Sequence, residues 1–284
     1  MKTIDGRVIK AVASKFFVDT PDGVKVCFAR KRLKNDGIIF VGDYVTVAKD
    51  RGDLVIEEVK PRKNQLIRPY VSNIDVCFVV ISPEPEPDFV LVDKIIVNCL
   101  EQNITPVLVK NKTDIDSVDT SEYKNVVQVL ECSAETGEGI DKLVEFAKGK
   151  TVCFAGQSAV GKSSLINAIL DCDLLEVGEL AKKIKRGKNT TRKTEIFNLN
   201  GTYFVDTCGF SMLETIDIEP KDLTLYYDDF EAFRRDCKFS TCTHTEEPDC
   251  AVKAHVGKEI GEGRYQRYLL VYKELVERKE SKYD

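Results

Sequence analysis

The stretch CFAGQSAVGKSSLINAIL, residues 153–170, decides how the whole sequence is interpreted. Its apolar start predicts a β-strand, its centre a glycine-containing loop and its end a helix. Glycines let consecutive backbone N–H groups turn inward around phosphate oxygens, and the N-terminus of the following helix adds positive potential. We therefore predict a phosphate-binding loop, with a chance glycine-rich turn as the alternative. The loop residues are Gly156, Gln157, Ser158, Ala159, Val160, Gly161, Lys162 and Ser163.

Roles for individual side chains follow from this pattern. Lys162 is expected to place its ammonium on the β and γ phosphates of a nucleotide. Ser163 is expected to offer its hydroxyl to the Mg²⁺ that a triphosphate brings with it, and Ser164 is counted among the nucleotide contacts. Such a loop does not distinguish ATP from GTP, so the base must be recognised elsewhere.

A second motif, NKTD at residues 111–114, follows the apolar segment TPVLVK and predicts guanine recognition. The Asp114 carboxylate would accept hydrogen bonds from N1–H and the N2 amine of guanine, a pair of donors that adenine lacks. Asn111 is expected to connect this loop to the phosphate loop. The N–H of Ala134, in the segment CSAE after another strand, is expected to face guanine O6. Because these motifs occur together, we predict GTP and GDP as ligands. The predicted base contacts are Asn111, Lys112, Asp114, Ser133 and Ala134.

The third motif is DTCG, which follows the predicted strand TYFV. Asp206 fits a carboxylate that binds Mg²⁺ through water, and Gly209 fits the backbone contact that senses the γ-phosphate. Upstream, Thr190 or Thr191 is expected to bind Mg²⁺ when a γ-phosphate is present. A plain mobile basic loop is the alternative for either threonine. Since residues 182–193 contain seven Lys and Arg, the same loop could also contact RNA phosphates.

Composition indicates a multidomain globular protein. The 284 residues suffice for two or three domains, and 43% of them are hydrophobic. No apolar run approaches the roughly 18 residues that cross a bilayer, and the first residues lack a signal peptide, so we expect a cytoplasmic protein without a membrane partner. The net charge of −5 is uneven, because residues 1–66 carry 14 Lys and Arg against 9 Asp and Glu. A polyanion-binding region and a merely solvated basic face are both consistent with that excess. Nothing calls for a dimer, and we expect a monomer.

Three regions are predicted along the chain. Residues 1–66 contain about five short strands with turns between them, typical of an all-β OB-fold with RNA-binding loops such as the basic run at residues 30–34. Residues 67–215 alternate strands and helices, which predicts an α/β domain with a parallel sheet. Residues 216–284 are predicted to be mainly helical. The segment KPRKNQLIRPY, residues 60–70, is expected to be a basic linker.

The third region also contains a predicted metal site. Cys237, Cys242, His244 and Cys250 have the spacing C-x4-C-x-H-x5-C. Three thiolates and one imidazole suit a closed tetrahedral structural site for one Zn²⁺. Unligated cysteines in a helical core are the alternative. His255 lies outside this spacing and is expected to be an ordinary surface histidine.

The order of the motifs resembles one protein family. In most nucleotide-binding domains the phosphate loop comes first, whereas here NKTD and CSAE precede it. This order, together with RKNQLIRP and CKFSTCTHTEEPDCAVK, resembles the circularly permuted GTPases that act in small ribosomal subunit maturation, known as RsgA or YjeQ. The resemblance implies an N-terminal OB-fold, a circularly permuted Ras-like P-loop GTPase domain and a zinc-binding helical domain. It also implies contact with the rRNA of the small (30S) subunit and GTP hydrolysis stimulated by that subunit.

Two positions bear on hydrolysis. Phe210 follows DTCG where Ras-like GTPases have a glutamine that orients water, and in this it agrees with the family. The family usually has a histidine before its paired threonines, whereas this sequence has Asn189. An amide can orient water but is not a general base near neutral pH, so we expect slow intrinsic hydrolysis that depends on the ribosome. A GTP-gated rRNA-binding assembly factor with marginal hydrolysis, and a P-loop ATPase, are the alternative functions.

Overall fold

The computed structural model describes residues 3–30, 33, 38–67, 70–177, 194–206 and 217–281. The strands in these residues are β1 (Thr3–Val12), β2 (Lys15–Asp19), β3 (Lys25–Ala29), β4 (Tyr44–Asp50), β5 (Asp53–Val59), β6 (Gln65–Ile67), β7 (Tyr70–Ser72), β8 (Val76–Ile81), β9 (Thr105–Lys110), β10 (Gln128–Glu131), β11 (Thr151–Ala155), β12 (Glu195–Leu199) and β13 (Thr202–Asp206). The helices are α1 (Phe89–Glu101), α2 (Ile140–Ala147), α3 (Lys162–Val177), α4 (Asp228–Arg234), α5 (Ala251–Ala254) and α6 (Glu262–Glu280), with 3₁₀ turns at Ser121–Tyr123 and Pro220–Tyr226. No helix within the described ranges is both long and apolar enough to cross a membrane.

The first five strands close into a barrel. Their order is β1-β2-β3-β5-β4, and β4 pairs back onto β1, so that the sheet closes on itself. Alternate residues point inward and form a core that includes Val8, Val18 and Ile56. The predicted five-stranded OB-type barrel is confirmed. Arg30, at the start of the predicted basic loop, is held by ion pairs with Glu57 and Asp50.

The central domain has a sheet in the order β10-β9-β8-β11-β13-β12, in which only β12 runs antiparallel to its neighbour among these pairings of the described strands. All six residues of β8 are buried. Cys77, Val79 and Ile81 pack against α1, whereas Val76, Phe78 and Val80 face the layer of α2 and α3. Because both faces are covered, these strands are continuous apolar runs in the sequence.

Parallel pairing determines where the motifs meet. NKTD follows β9, CSAE follows β10 and the phosphate loop follows β11, so all three emerge at the carboxyl edge of the sheet. Open α/β sheets bind ligands at this edge. The reversed order of motifs along the chain therefore leaves their positions in space intact.

The C-terminal region packs on α1 as a small helical module. Its core contains Leu223, Tyr227 and Phe230, and it shares Val97 of α1 with the central domain. The predicted helical character is confirmed. The cysteine and histidine cluster lies in the loops between α4 and α5.

Two features attach the barrel to the rest of the chain. At the predicted linker, Gln65–Ile67 pairs with Tyr70–Ser72, and Arg62 forms a two-pronged ion pair with the fully buried Asp43. The barrel sheet also continues into the central sheet, since Lys10 of β1 is paired with Glu195 of β12. The predicted domain boundaries, 1–66, 67–215 and 216–284, stay predictions.

Candidate nucleotide site and metal cluster

The phosphate loop has two positions that only glycine satisfies. Gly156 has φ of 131° and a Cβ there would lie 2.2 Å from the carbonyl oxygen of Val80. Gly161 has φ of 96° and a Cβ there would lie 2.3 Å from Asn111 Nδ2. Both values of φ are unfavourable for residues with a side chain, and both contacts are shorter than real Cβ atoms show. The two glycines are therefore required by backbone conformation and by close packing.

The remaining loop residues place polar groups toward solvent. Ser158, Ala159, Ser163 and Ser164 are exposed, whereas Val160 is buried beneath the loop. The Lys162 ammonium donates to the carbonyl oxygens of Gly156, at 2.7 Å, and Gln157. Since α3 begins at Lys162, the serines lie at its N-terminus. An anion at this position would meet backbone N–H groups, the helix dipole and one ammonium.

Two residues of NKTD join that loop to the phosphate loop. Asn111, which is 1% exposed, donates from Nδ2 to the carbonyl oxygen of Val160 at 2.8 Å. Lys112 adopts φ of 62° and donates from Nζ to the carbonyl oxygen of Ala159 at 2.9 Å. The two loops are thus held together by side chains of one tetrapeptide. Whether these residues bind guanine stays a prediction.

Asp114 is exposed, and a hydrogen bond from a buried serine orients its carboxylate. The buried Ser133 hydroxyl donates to Asp114 Oδ1, and Ser133 Oγ itself accepts from the N–H groups of Glu135 and Thr136. One carboxylate oxygen is thus held by Ser133, while the residue as a whole is exposed. The N–H of Ala134 donates to Asn111 Oδ1 at 3.1 Å, so a guanine O6 would have to share or replace that bond.

Gln157 has a role that the sequence did not reveal. Its Oε1 accepts from the N–H of Asp88 at 2.9 Å, and its Nε2 donates to the carbonyl oxygen of Glu86 at 3.2 Å. Asp88 is the N-cap of α1. The phosphate loop is thereby attached to the start of the helix on which the C-terminal module packs. No sequence signal identified this contact, because a glutamine in a loop is unremarkable.

Of the remaining predicted site residues, Asp206 lies within the part of the chain that the structure describes. Asp206 is the last residue of β13 and is half-buried. Asn189, Thr190, Thr191 and Gly209 lie outside the described residues. Their predicted roles in water positioning, Mg²⁺ binding and γ-phosphate sensing stay predictions.

The predicted metal ligands form a compact cluster. The ligand atoms of Cys237, Cys242, His244 and Cys250 all lie within 4.8 Å of one another. The Cys237 Sγ lies 3.9 Å from Cys250 Sγ and 3.6 Å from His244 Nδ1. Four ligands at about 2.3 Å from one ion would be separated by roughly 3.7 Å at tetrahedral angles. The cluster therefore has the dimensions of a tetrahedral metal site.

Burial shifts the pKa values of His244 and Cys242 in opposite directions. It lowers the pKa of His244, which keeps the imidazole neutral and able to coordinate. It raises the pKa of the Cys242 thiol to about 12, so a metal ion must displace a proton to bind there. Metal affinity should therefore increase with pH.

The likeness to known proteins extends over the whole chain. A model of the RsgA GTPase family matches residues 59–216. A small ribosomal subunit biogenesis GTPase RsgA from Caldanaerobacter subterraneus subsp. tengcongensis is 40% identical over 296 residues, covering 100% of this chain and 99% of the relative. The chain belongs to the RsgA GTPase family. The RsgA of Thermotoga neapolitana is 40% identical over 269 residues, covering 90% of each protein.

Solved structures of this family share the fold. The crystal structure of YjeQ from Thermotoga maritima has a TM-score of 0.83 and 34% identity, covering 97% of this chain and 99% of that one. YloQ, described as a circularly permuted GTPase, has a TM-score of 0.79 and 31% identity, covering 98% and 96%. The circular permutation inferred from the order of the motifs is confirmed, and with it a GTP-hydrolysing family.

In this RsgA-family chain a buried charge network attaches the C-terminal module to α1. Asp93 is fully buried and accepts from Arg264 Nη1 at 2.6 Å, Arg267 Nε at 2.7 Å and the Tyr123 hydroxyl at 2.6 Å. Burial alone lowers the pKa of Arg264, but the carboxylates of Asp93 and Asp229 outweigh it and keep the guanidinium charged. The sequence signal for this network was Asp93, a charged residue among the apolar positions of α1.

Proposed function

We propose that this protein binds GTP and GDP with Mg²⁺, hydrolyses GTP to GDP and phosphate, and acts in the late maturation of the small ribosomal subunit. The observation that carries the proposal is the attachment of the guanine motif to the phosphate loop through Asn111 and Lys112. This contact puts a base-recognising carboxylate and a phosphate-binding loop at one edge of the sheet. The printed names of the relatives, small ribosomal subunit biogenesis GTPases, support the biological role.

The residues divide the chemistry between them. Backbone N–H groups of residues 156–163 and the Lys162 ammonium hold the phosphates and stabilise charge as the bond to the γ-phosphate breaks. Ser163, Asp206 and Thr190 or Thr191 are the residues that would hold Mg²⁺, which would supply positive charge to the triphosphate. Asn189 orients the attacking water by hydrogen bonding, which favours a slow basal rate.

We also propose one structural Zn²⁺ in the cysteine and histidine cluster. The donor set, the separations of 3.4–3.9 Å and the neutral imidazole fit a closed four-coordinate site. With all four positions taken by protein ligands, the ion stabilises the module rather than taking part in hydrolysis. Metal analysis of protein purified without chelator should yield one equivalent, and less than about half an equivalent would contradict the site.

The partner in this proposal is the 30S subunit, contacted through its rRNA. The basic excess of residues 1–66 and the barrel architecture, whose strand faces and loops bind oligonucleotides in other proteins, support contact by the N-terminal region. The proposal implies a cytoplasmic protein that works as a monomer on the subunit.

GTP turnover with and without purified small subunits tests the activity. We expect slow basal hydrolysis and strong stimulation by the subunit. Turnover that stays at the basal rate would instead favour a GTP-gated assembly factor with marginal hydrolysis.

Base recognition has its own test. Asp114→Asn replaces an acceptor of guanine N1–H and N2 with an amide, which should weaken GTP binding by about 2 kcal/mol or more, close to the loss of one charged hydrogen bond. Asp116→Asn, two residues along the same exposed loop, is the matched control and should bind GTP normally. ATP competing equally with GTP, together with an unaffected Asp114→Asn variant, would indicate an ATPase.

A further inference from the structure

The two ring nitrogens of His244 face different partners. Nδ1 lies 3.6 Å from Cys237 Sγ and 3.4 Å from Cys250 Sγ. Nε2 lies 3.0 Å from the hydroxyl oxygen of Thr224. His244 is 1% exposed, so water does not substitute for either partner. The imidazole therefore has one nitrogen directed to the cluster and one directed to a single hydroxyl.

Thr224 lies well away from the cluster in the sequence. It belongs to the 3₁₀ turn Pro220–Tyr226, which follows β13 and the DTCG motif, and it precedes the first cysteine of the cluster by 13 residues. Its side chain is mostly buried, with 9% of the residue exposed. Leu223, its neighbour, packs in the same core as Val97 of α1.

The rest of the surroundings hold the histidine in this orientation. His244 adopts φ of 61°, and the Tyr265 hydroxyl donates to its carbonyl oxygen at 2.7 Å. The ring of Phe230 meets the imidazole edge-on, with 5.9 Å between centroids. Backbone and ring are thus held by contacts other than the thiols, and the hydroxyl of Thr224 is the polar group that Nε2 faces.

We propose that Thr224 is a positioning residue for the metal. Its oxygen accepts the Nε2 proton of His244, which leaves Nδ1 unprotonated and directed at the three cysteines. Metal-bound histidines commonly donate their other N–H in this way, and removing the acceptor typically weakens metal binding by about 10–100-fold. This inference rests on the metal site proposed above.

A metal ion bound to the cluster would also act on the turn Pro220–Tyr226, which follows the DTCG motif in the sequence. If the metal requires the Nε2–H tautomer, bound metal strengthens the contact between His244 and the turn Pro220–Tyr226. Binding free energies are reciprocal, so the packing of this turn also strengthens metal binding. The metal then stabilises the junction between the nucleotide domain and the module, in addition to closing its own loops.

The test compares Zn²⁺ affinities of full-length variants by competition with a chromophoric chelator. Thr224→Val keeps the shape but removes the hydroxyl, and we expect about 10–100-fold weaker binding. Thr224→Ser restores the acceptor and should bind nearly as tightly as the wild type. Thr245→Val removes a neighbouring hydroxyl, which contacts Thr243 rather than a ligand side chain, and should change the affinity little.

A second measurement on the wild type makes the result independent of the variants' folding. In the zinc-loaded protein, ¹⁵N shifts of His244 should show a proton on Nε2 and the metal on Nδ1. Metal on Nε2, or equal affinities for the Thr224→Val variant and the wild type, would overturn the role of Thr224 while leaving the metal site intact. A wild-type protein that binds no Zn²⁺ would overturn both.

Discussion

Gly161→Ala tests how closely the two nucleotide loops are packed. A methyl group at this position would lie 2.3 Å from Asn111 Nδ2, and the backbone φ of 96° is strained for alanine. Asn111 would have to leave its place, which breaks its bond to the carbonyl oxygen of Val160. The substitution therefore combines three effects: backbone strain, a steric clash and the loss of a buried hydrogen bond.

The expected magnitude follows from these effects. Alanine at positive φ costs about 1–2 kcal/mol. Leaving the buried amide and carbonyl unpaired costs about 1–3 kcal/mol. Since the unbound loop is able to relax while the nucleotide requires the observed conformation, most of this sum reduces binding. A loss of about 2–5 kcal/mol corresponds to a Kd for GDP raised roughly 30-fold to several-thousand-fold.

The assay is titration with a fluorescent GDP analogue. Gly149→Ala is the matched control, because Gly149 also has positive φ, 70°, but a Cβ there meets nothing within 4 Å. We expect the control to bind GDP normally and to lose only the about 1–2 kcal/mol of stability that positive φ costs an alanine. A Kd for Gly161→Ala within threefold of the wild type would refute the reasoning about the contact with Asn111.

Two further variants test how the nucleotide domain is attached to the C-terminal module. Asp93→Ala leaves the buried Arg264 and the partly buried Arg267 without a shared partner, and it should lower the free energy of unfolding by about 3–5 kcal/mol in urea titrations. Glu274→Ala, at a more exposed pair, is the control and should cost about 0–1 kcal/mol. Equal costs for the two variants would contradict the network. Gln157→Met removes two hydrogen bonds to the start of α1 and should weaken GDP binding by about 1 kcal/mol. Tighter binding by the methionine variant would argue against a positioning role.

Local chemistry made much of the site predictable. A glycine-containing loop between a strand and a helix, or four metal ligands within 14 residues, needs no knowledge of the fold because the interacting groups are close in sequence. The same holds for β8, whose apolar run indicates a strand covered on both faces. The fold class followed from such segments together with the order of the motifs.

Contacts between distant residues were not predictable in this way. Gln157 reaches Glu86 across 71 residues, Arg264 reaches Asp93 across 171, and Arg62 in the predicted linker reaches the buried Asp43 across 19. The sequence shows that a buried polar residue needs a partner, but it does not show which residue that partner is.

The sequence by itself determined the elements, the motifs and the permuted order in which they occur, because hydrophobic periodicity and short spacings encode local structure and local ligand sets. Only the tertiary structure decided that Asn111 holds the phosphate loop, that α1 carries the C-terminal module and that Thr224 faces the ring of a predicted metal ligand. The physical reason is that burial is encoded residue by residue, whereas the partner of a buried polar group depends on where the chain returns in space.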